Sequence, residues 1–280
     1  MGLVTPFFTV FLAAVVALVP SSALCAQQTK TSNLDEVLKG LESNLNRYDT
    51  RLPSLFCDEH VVSLQMEPNQ RDVSTVTDSV FQLSRKVQPG HMTAFVESRE
   101  VKTVNGRPAT SQDVDAPTML SGLFEGGLAV VSLNQTACMS YTLRRVNGKH
   151  PNDPYIVRFS TVLTTKNSAD CFLQEKSRGQ ALIDPASMQL KHLEIITPRH
   201  TIIDGDGYTP RVVGSRTLTI DYAPVLLGGE TFQMPSAISM LNTTGNSFHQ
   251  TAWSFRATYR NYHKREVTSR ILPATESPAR

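Results

Sequence analysis

The sequence lacks most of the patterns by which enzymes and metal proteins announce themselves. It has no Gly-x-Ser-x-Gly elbow, no Ser-x-x-Lys and no Cys-x-x-Cys, so no common nucleophile or redox motif is present. Its histidines, among them His60, His91, His192, His200 and His249, are scattered. No His-x-x-x-His pair offers the spacing that zinc needs. Each is read as a surface or strand histidine, and neither a catalytic residue, a metal ligand nor a cofactor is assigned. Beyond the N-terminus no apolar run approaches the roughly 20 residues of a membrane span. Tracts of Gly/Ser or Pro, repeats and blocks of like charge are missing as well. The formal net charge is only +2, with both signs interspersed, which argues against a nucleic-acid partner.

What is present begins with an uncharged N-terminus. Residues Met1 to Ala26 carry an apolar run from Phe7 to Pro20 followed by Ser21, Ser22 and Ala23, the build of a secretory signal peptide cleaved near Cys25 or Ala26. Lipid anchoring at Cys25 is disfavoured, because Leu24 stands where a small residue is expected. The expectation is therefore a signal peptide over 1–26, one β-rich domain over 27–272 and a disordered tail over 273–280, exported to the periplasm or secreted. After processing, Cys57, Cys138 and Cys171 remain. An odd count in an oxidising compartment implies one bridge and one spare thiol, an intermolecular pair, or three buried thiols with no chemistry. The hairpin inferred below returns the chain near Cys138, which favours a bridge between Cys138 and Cys171.

Leu34, Val37, Leu38, Leu41 and Leu45 recur at three- and four-residue spacing and predict an amphipathic helix from Asn33 to Tyr48, with Ser32 and Asp35 at its cap. From Cys57 the period changes to two. Val62, Leu64 and Met66 alternate with Val61, Ser63 and Gln65. Further strands are expected through Thr75 to Leu83, His91 to Val104, Met139 to Val146, Tyr155 to Leu163, Gln180 to Ile183 and Met188 to Ile196. Arg211 to Tyr222, Glu230 to Leu241 and His249 to Tyr262 follow, separated by turn pairs such as Asn105-Gly106, Asp184-Pro185 and Gly228-Gly229. Between them, Ala116 to Leu133 reads as a second helix broken at Gly126-Gly127 and packed on the core, with a flap over the sheet as the alternative. Roughly ten strands in sequential hairpins accumulate twist until the sheet curls or closes. The fold class expected is α+β, mainly antiparallel β: a large curved sheet, or half-barrel, with an N-terminal and an inserted helix packed on it.

On the last strand Trp253, Phe255, Ala257 and Tyr259 project to one side, and with Leu218, Ile220 and Tyr222 they make one broad apolar wall. Such a wall is either filled core or the lining of a cavity for an apolar ligand. The candidate lining residues are Phe81, Phe95, Phe159, Ile220, Tyr222, Trp253, Phe255 and Tyr259. Asp204 and Asp206, with Gly205 and Gly207, could supply oxygen ligands to calcium, but they read more simply as a loop tip. The sequons at Asn134 and Asn242 matter only in a host that glycosylates.

Two phrases carry a family resemblance: Gly179-Gln-Ala-Leu-Ile-Asp184 running into Met188-Gln-Leu-Lys-His-Leu-Glu194, and the closing Trp253-Ser-Phe-Arg-Ala-Thr-Tyr-Arg-Asn-Tyr262. Together with the leader, the N-terminal helix and the meander, they resemble the periplasmic lipoprotein-carrier superfamily of LolA, LolB and RseB. That resemblance implies a half-barrel whose concave face holds acyl chains or stays closed under helices. The function expected is an exported, non-enzymatic envelope protein binding a lipid, a lipoprotein or another apolar partner. The alternative is an interaction module with a filled core that recruits an envelope protein. A hydrolase with a dispersed triad ranks third.

Overall fold

A computed structural model describes residues 33–66, 71–87, 93–110, 127–145, 150, 152–164, 166, 169–198, 201–203, 210–212, 214–245 and 250–265. The signal-peptide stretch, the Asp204 to Gly207 loop and the C-terminal tail lie outside these residues. Helix α1 spans Leu34–Arg51. Its cap is Asn33, one residue beyond the expected Ser32: the Asn33 side chain accepts from the Glu36 amide, and the Glu36 carboxylate accepts in return from the Asn33 amide. That reciprocal box satisfies two orphan amide donors of the first turn. The helix runs three residues past Tyr48 and stops at Leu52, which is extended, the conformation that the following Pro53 imposes.

Among the described residues thirteen strands follow: β1 (Leu55–Met66), β2 (Val73–Val87), β3 (Thr93–Val104), β4 (Arg107–Pro108), β5 (Met139–Arg145), β6 (Tyr155–Thr161), β7 (Arg178–Ile183), β8 (Leu190–Pro198), β9 (Thr201–Ile203), β10 (Pro210–Val212), β11 (Gly214–Leu227), β12 (Glu230–Gly245) and β13 (Gln250–Lys264). Eleven of them form one antiparallel sheet in the order β4-β3-β2-β1-β13-β12-β11-β8-β7-β6-β5. The remaining pair, β9 and β10, continues the β8–β11 hairpin, since Pro198↔Ser215 and Thr201↔Val212 keep one register. The expected meander is there with one difference. The last strand returns to pair with the first, Val61 opposite Ala257, so β1 lies inside the sheet and the chain crosses from the β4 edge to the β5 edge through residues 109–138.

The sheet is open and strongly curved. Strands β3 and β5 stand nine steps apart in the strand order, about 43 Å if flat at about 4.8 Å per step. Helix α1, about 27 Å long at 1.5 Å per residue, nevertheless contacts both. The sheet must therefore wrap around the helix as a half-barrel. Of the expected second helix, residues 127–129 are helical, including Gly127 where a break was expected, and a 3-10 turn follows at Leu133–Gln135. The preceding part lies outside the described residues. Val130 and Val131 are fully buried, so this segment packs on the core.

Strand alternation decides the two faces. In β1 the inward set is Leu55, Cys57, Glu59, Val61 and Ser63, while Phe56, Asp58, His60 and Val62 face out. Against the inner face α1 buries Val37, Leu38, Leu41 and Tyr48. Tyr48 meets Phe232 edge to face at 5.4 Å and donates to the Gln233 carbonyl at 2.6 Å. Each fully buried aliphatic side chain here stabilises by about 1.5–3 kcal/mol relative to exposure.

Candidate functional site

The eight candidate lining residues all face inward and belong to one apolar cluster. Phe81, Phe159, Ile220, Tyr222, Phe255 and Tyr259 are buried within it, and Phe95 and Trp253 pack against it half-buried. Beneath α1 the wall is closed: the space lined by Leu41, Asn44, Leu45, Tyr48, Leu128, Gln189 and Leu190 amounts to about 10 Å³. A single water fills that volume. The wall opens at its far end, where Trp253 stacks on Phe255 at 5.9 Å. There a pocket of about 170 Å³ is lined by Gln65, Met66, Asn242, Thr244, Thr251, Ala252 and Trp253. Asn242 sits opposite Trp253 in the β12–β13 register, only 6% exposed, and its Oδ1 has no hydrogen-bond partner. An orphan buried acceptor beside an aromatic ring is a place where a ligand with an apolar body and one N–H or O–H could be held. Burial at Asn242 also removes that sequon from a glycosylating enzyme's reach in the folded protein.

A second inward feature is polar. The Glu59 side chain is 1% exposed, and both its oxygens accept from Arg99 Nε at 3.0 Å. Glu97 approaches the same guanidinium at 3.8 Å, which lies 4.9 Å above the Phe81 ring. Burial pushes the Glu59 carboxyl above its usual range, opposed by Arg99 and by a hydrogen bond from Tyr259. No motif flags this cluster, in which Glu59 occupies an inward slot between Cys57 and Val61. Cys57 is a buried free thiol, pushed up to about 12 by burial and by the neighbouring Glu59 charge, and so is chemically quiet. Cys138 and Cys171 are joined in a disulfide.

The outer face carries the polar chemistry. His60 Nδ1 meets Asp78 at 2.7 Å, Thr103 donates to the same carboxylate at 2.7 Å, and Asn261 donates to Asp58 at 2.7 Å. The hydrogen bonds from His60 and Thr103 hold the Asp78 carboxyl below its usual range. Asp58, His60, Asp78 and Asn261 line a groove of about 620 Å³, beside a bulge between Phe56 and Asp58 and the left-handed backbone of Asn261 (φ 55°). A second histidine pair, His192 with Asp221 at 2.6 Å, spans β8 and β11. Among the described residues neither imidazole bonds a Ser, Thr or Cys nucleophile, and no three metal-ligating side chains gather. No described helix is long and apolar enough to cross a membrane.

No protein-family model and no curated protein sequence matches the chain. Among solved structures it is similar to a LolA superfamily protein from Nitrosomonas europaea, with 10% identity, 82% of this chain and 94% of that one covered, and a TM-score of 0.35. It is also similar to a DUF1329 family protein from Desulfovibrio piger, with 11% identity, 85% and 96% coverage and a TM-score of 0.38. Pseudomonas aeruginosa MucB, in its complex with MucA, aligns with 9% identity over 80% and 94% at a TM-score of 0.20. These are likenesses of chain layout, and the site rests on this chain's own residues.

Proposed function

We propose that the protein is an exported, non-enzymatic binding protein of the cell envelope that takes a lipid, a lipoprotein or another apolar partner at the Trp253 end of its wrapped sheet. The observation that carries this reading is the 170 Å³ pocket in which half-buried Trp253 stands beside the unpartnered Oδ1 of Asn242. Among the described residues the wall under α1 is filled at Leu41, Tyr48 and Leu190, so the partner enters at the Trp253 end and the described part of the inner face serves as its floor. The signal peptide over 1–26 and the disulfide between Cys138 and Cys171 support residence in an oxidising compartment. The mature domain then runs over 27–272 without an anchor at Cys25, followed by the tail over 273–280.

The second reading is an interaction module with a filled core, favoured by the 10 Å³ left beneath α1. One experiment separates the two. Trp253 is the sole tryptophan, so its emission reports the pocket directly. Titration with a neutral long-chain monoacylglycerol is expected to give a saturable blue shift. Trp253→Ala is expected to abolish uptake of the same probe in native mass spectrometry without lowering the melting temperature. No shift in the wild type, together with a stability loss of about 3–5 kcal/mol in the variant, as for a truncated core aromatic, would favour the filled module.

A further inference from the structure

The outer face of the β5 end holds an unbalanced row of cations. Antiparallel registers set Arg144 opposite Ile156, Arg158 opposite Gln180, and Arg178 opposite Ser160. Each arginine is therefore one strand over and two residues along from the last, a diagonal stripe with steps of about 7–8 Å. All three are exposed, and among the described residues none of them makes an ion pair. Between Arg158 and Arg178 lies a cleft of about 410 Å³, lined also by Ser160, Gln180, Glu194 and Ile196, with Phe159 and Gly179 at its base. Its one carboxylate, Glu194, already accepts from Gln180 Nε2 at 3.0 Å, so two guanidiniums face a single, partly engaged negative charge.

We infer that this cleft binds a phosphate-bearing anion, on the opposite side of the sheet from the apolar wall. Guanidinium forks match the oxygen geometry of a phosphate and hold it bidentately, and its negative charge offsets the repulsion between neighbouring arginines. The Ser160 hydroxyl adds a donor. A volume of 410 Å³ is within the range of small-molecule sites, so it receives the group next to the phosphate as well. Arginines serving only to keep the edge strand from pairing with another chain would sit on β5 itself. Arg158 and Arg178 sit on the second and third strands from that edge. The phosphate belongs either to a free ester or to a lipid headgroup, and the test distinguishes them.

Binding of glycerol 3-phosphate is measured by calorimetry, and binding of phosphatidylcholine vesicles with and without phosphatidylglycerol by co-flotation. The variants are Arg158→Gln with Arg178→Gln, and a charge-matched control, Arg256→Gln with Arg260→Gln, on the outer face of β13. The cleft variant is expected to weaken binding at least about tenfold and to keep or raise the melting temperature, while the control binds as the wild type does. Binding of the free ester identifies a soluble phosphate ligand; binding of anionic vesicles alone, with the same variant pattern, identifies a headgroup. Absence of both, equal losses in the two double variants, or a lowered melting temperature in the cleft variant would each overturn the assignment.

Discussion

Glu59 is the residue on which the inner face is most finely balanced. Its carboxylate is held by Arg99 and Tyr259, while the Phe81 ring and Glu97 meet the same guanidinium. Two carboxylates thus share one cation. Burial lifts the Glu59 pKa above its ordinary 4.5 despite Arg99. A carboxyl raised in the folded state holds a proton that the unfolded chain has already released. Its favourable contribution is complete below the unfolded pKa and is lost as pH rises through the folded one. The stability of Glu59→Gln relative to the wild type is therefore expected to improve as pH is raised from the unfolded pKa through the folded one, read from urea midpoints across that range. A difference that is constant with pH would mean that the carboxylate is no harder to ionise in the folded protein than in the unfolded chain.

At the scale of elements, the pairing of β7 with β8 depends on one missing side chain. A Cβ at Gly179 would lie 2.0 Å from the Glu194 carbonyl oxygen and 2.5 Å from Phe159 Cζ. The Phe159 ring fills the space over Gly179, its partner in the β6–β7 register, and covers a backbone that would otherwise be bare. Backbone cannot yield as a flexible side chain can, so Gly179→Ala must shift both strands. The expected cost is about 1–3 kcal/mol in thermal or urea unfolding, with weaker anion binding because the cleft base moves. Unchanged stability would show that the strands part easily at this point. By contrast, α1 is held at several separate places: its capping box, the Tyr48 hydroxyl on Gln233, and Asn44 Nδ2 on the Met188 carbonyl at 2.8 Å.

For the whole molecule the governing quantity is curvature. An eleven-stranded sheet wrapped on a short helix has two free edges, and the β5 edge is where the chain is stapled. The disulfide from Cys138, immediately before β5, to Cys171 spans 33 residues, and Val162 donates to the Cys138 carbonyl at 2.7 Å. Closing a loop of that length stabilises the fold by about 3–4 kcal/mol through the unfolded chain. Replacing both cysteines by serine is expected to lower stability by that order in denaturant melts, with hydrogen exchange rising first in β5 and β6. A uniform rise across β1 and β13 as well would mean that the edge unfolds only with the whole sheet.

The sequence by itself determined most of the strands and, where one face is clearly apolar as in β13, the side that faces in. In β1 it did not, because Val62 of the apolar set Val62, Leu64 and Met66 faces out and the inward set includes Cys57, Glu59, Val61 and Ser63. Period-two alternation and turn pairs place β3, β5, β6 and β13 within about two residues of their observed limits, and the wall from Trp253 to Tyr259 can be read from β13 alone. The inward positions of Glu59 and Asn242 were not legible there: Glu59 lies on the face opposite to that apolar set of β1, and Asn242 stood out only as a sequon. Only the tertiary structure decided that β13 pairs with β1, that the sheet closes on α1, and that three arginines separated by 14 and 20 residues form one stripe. The physical reason is that alternation is a local property of one strand, whereas pairing is made by backbone hydrogen bonds that are chemically alike in every strand. Which strands become neighbours, and therefore which side chains share a cleft, is settled by the burial of the entire inner face at once.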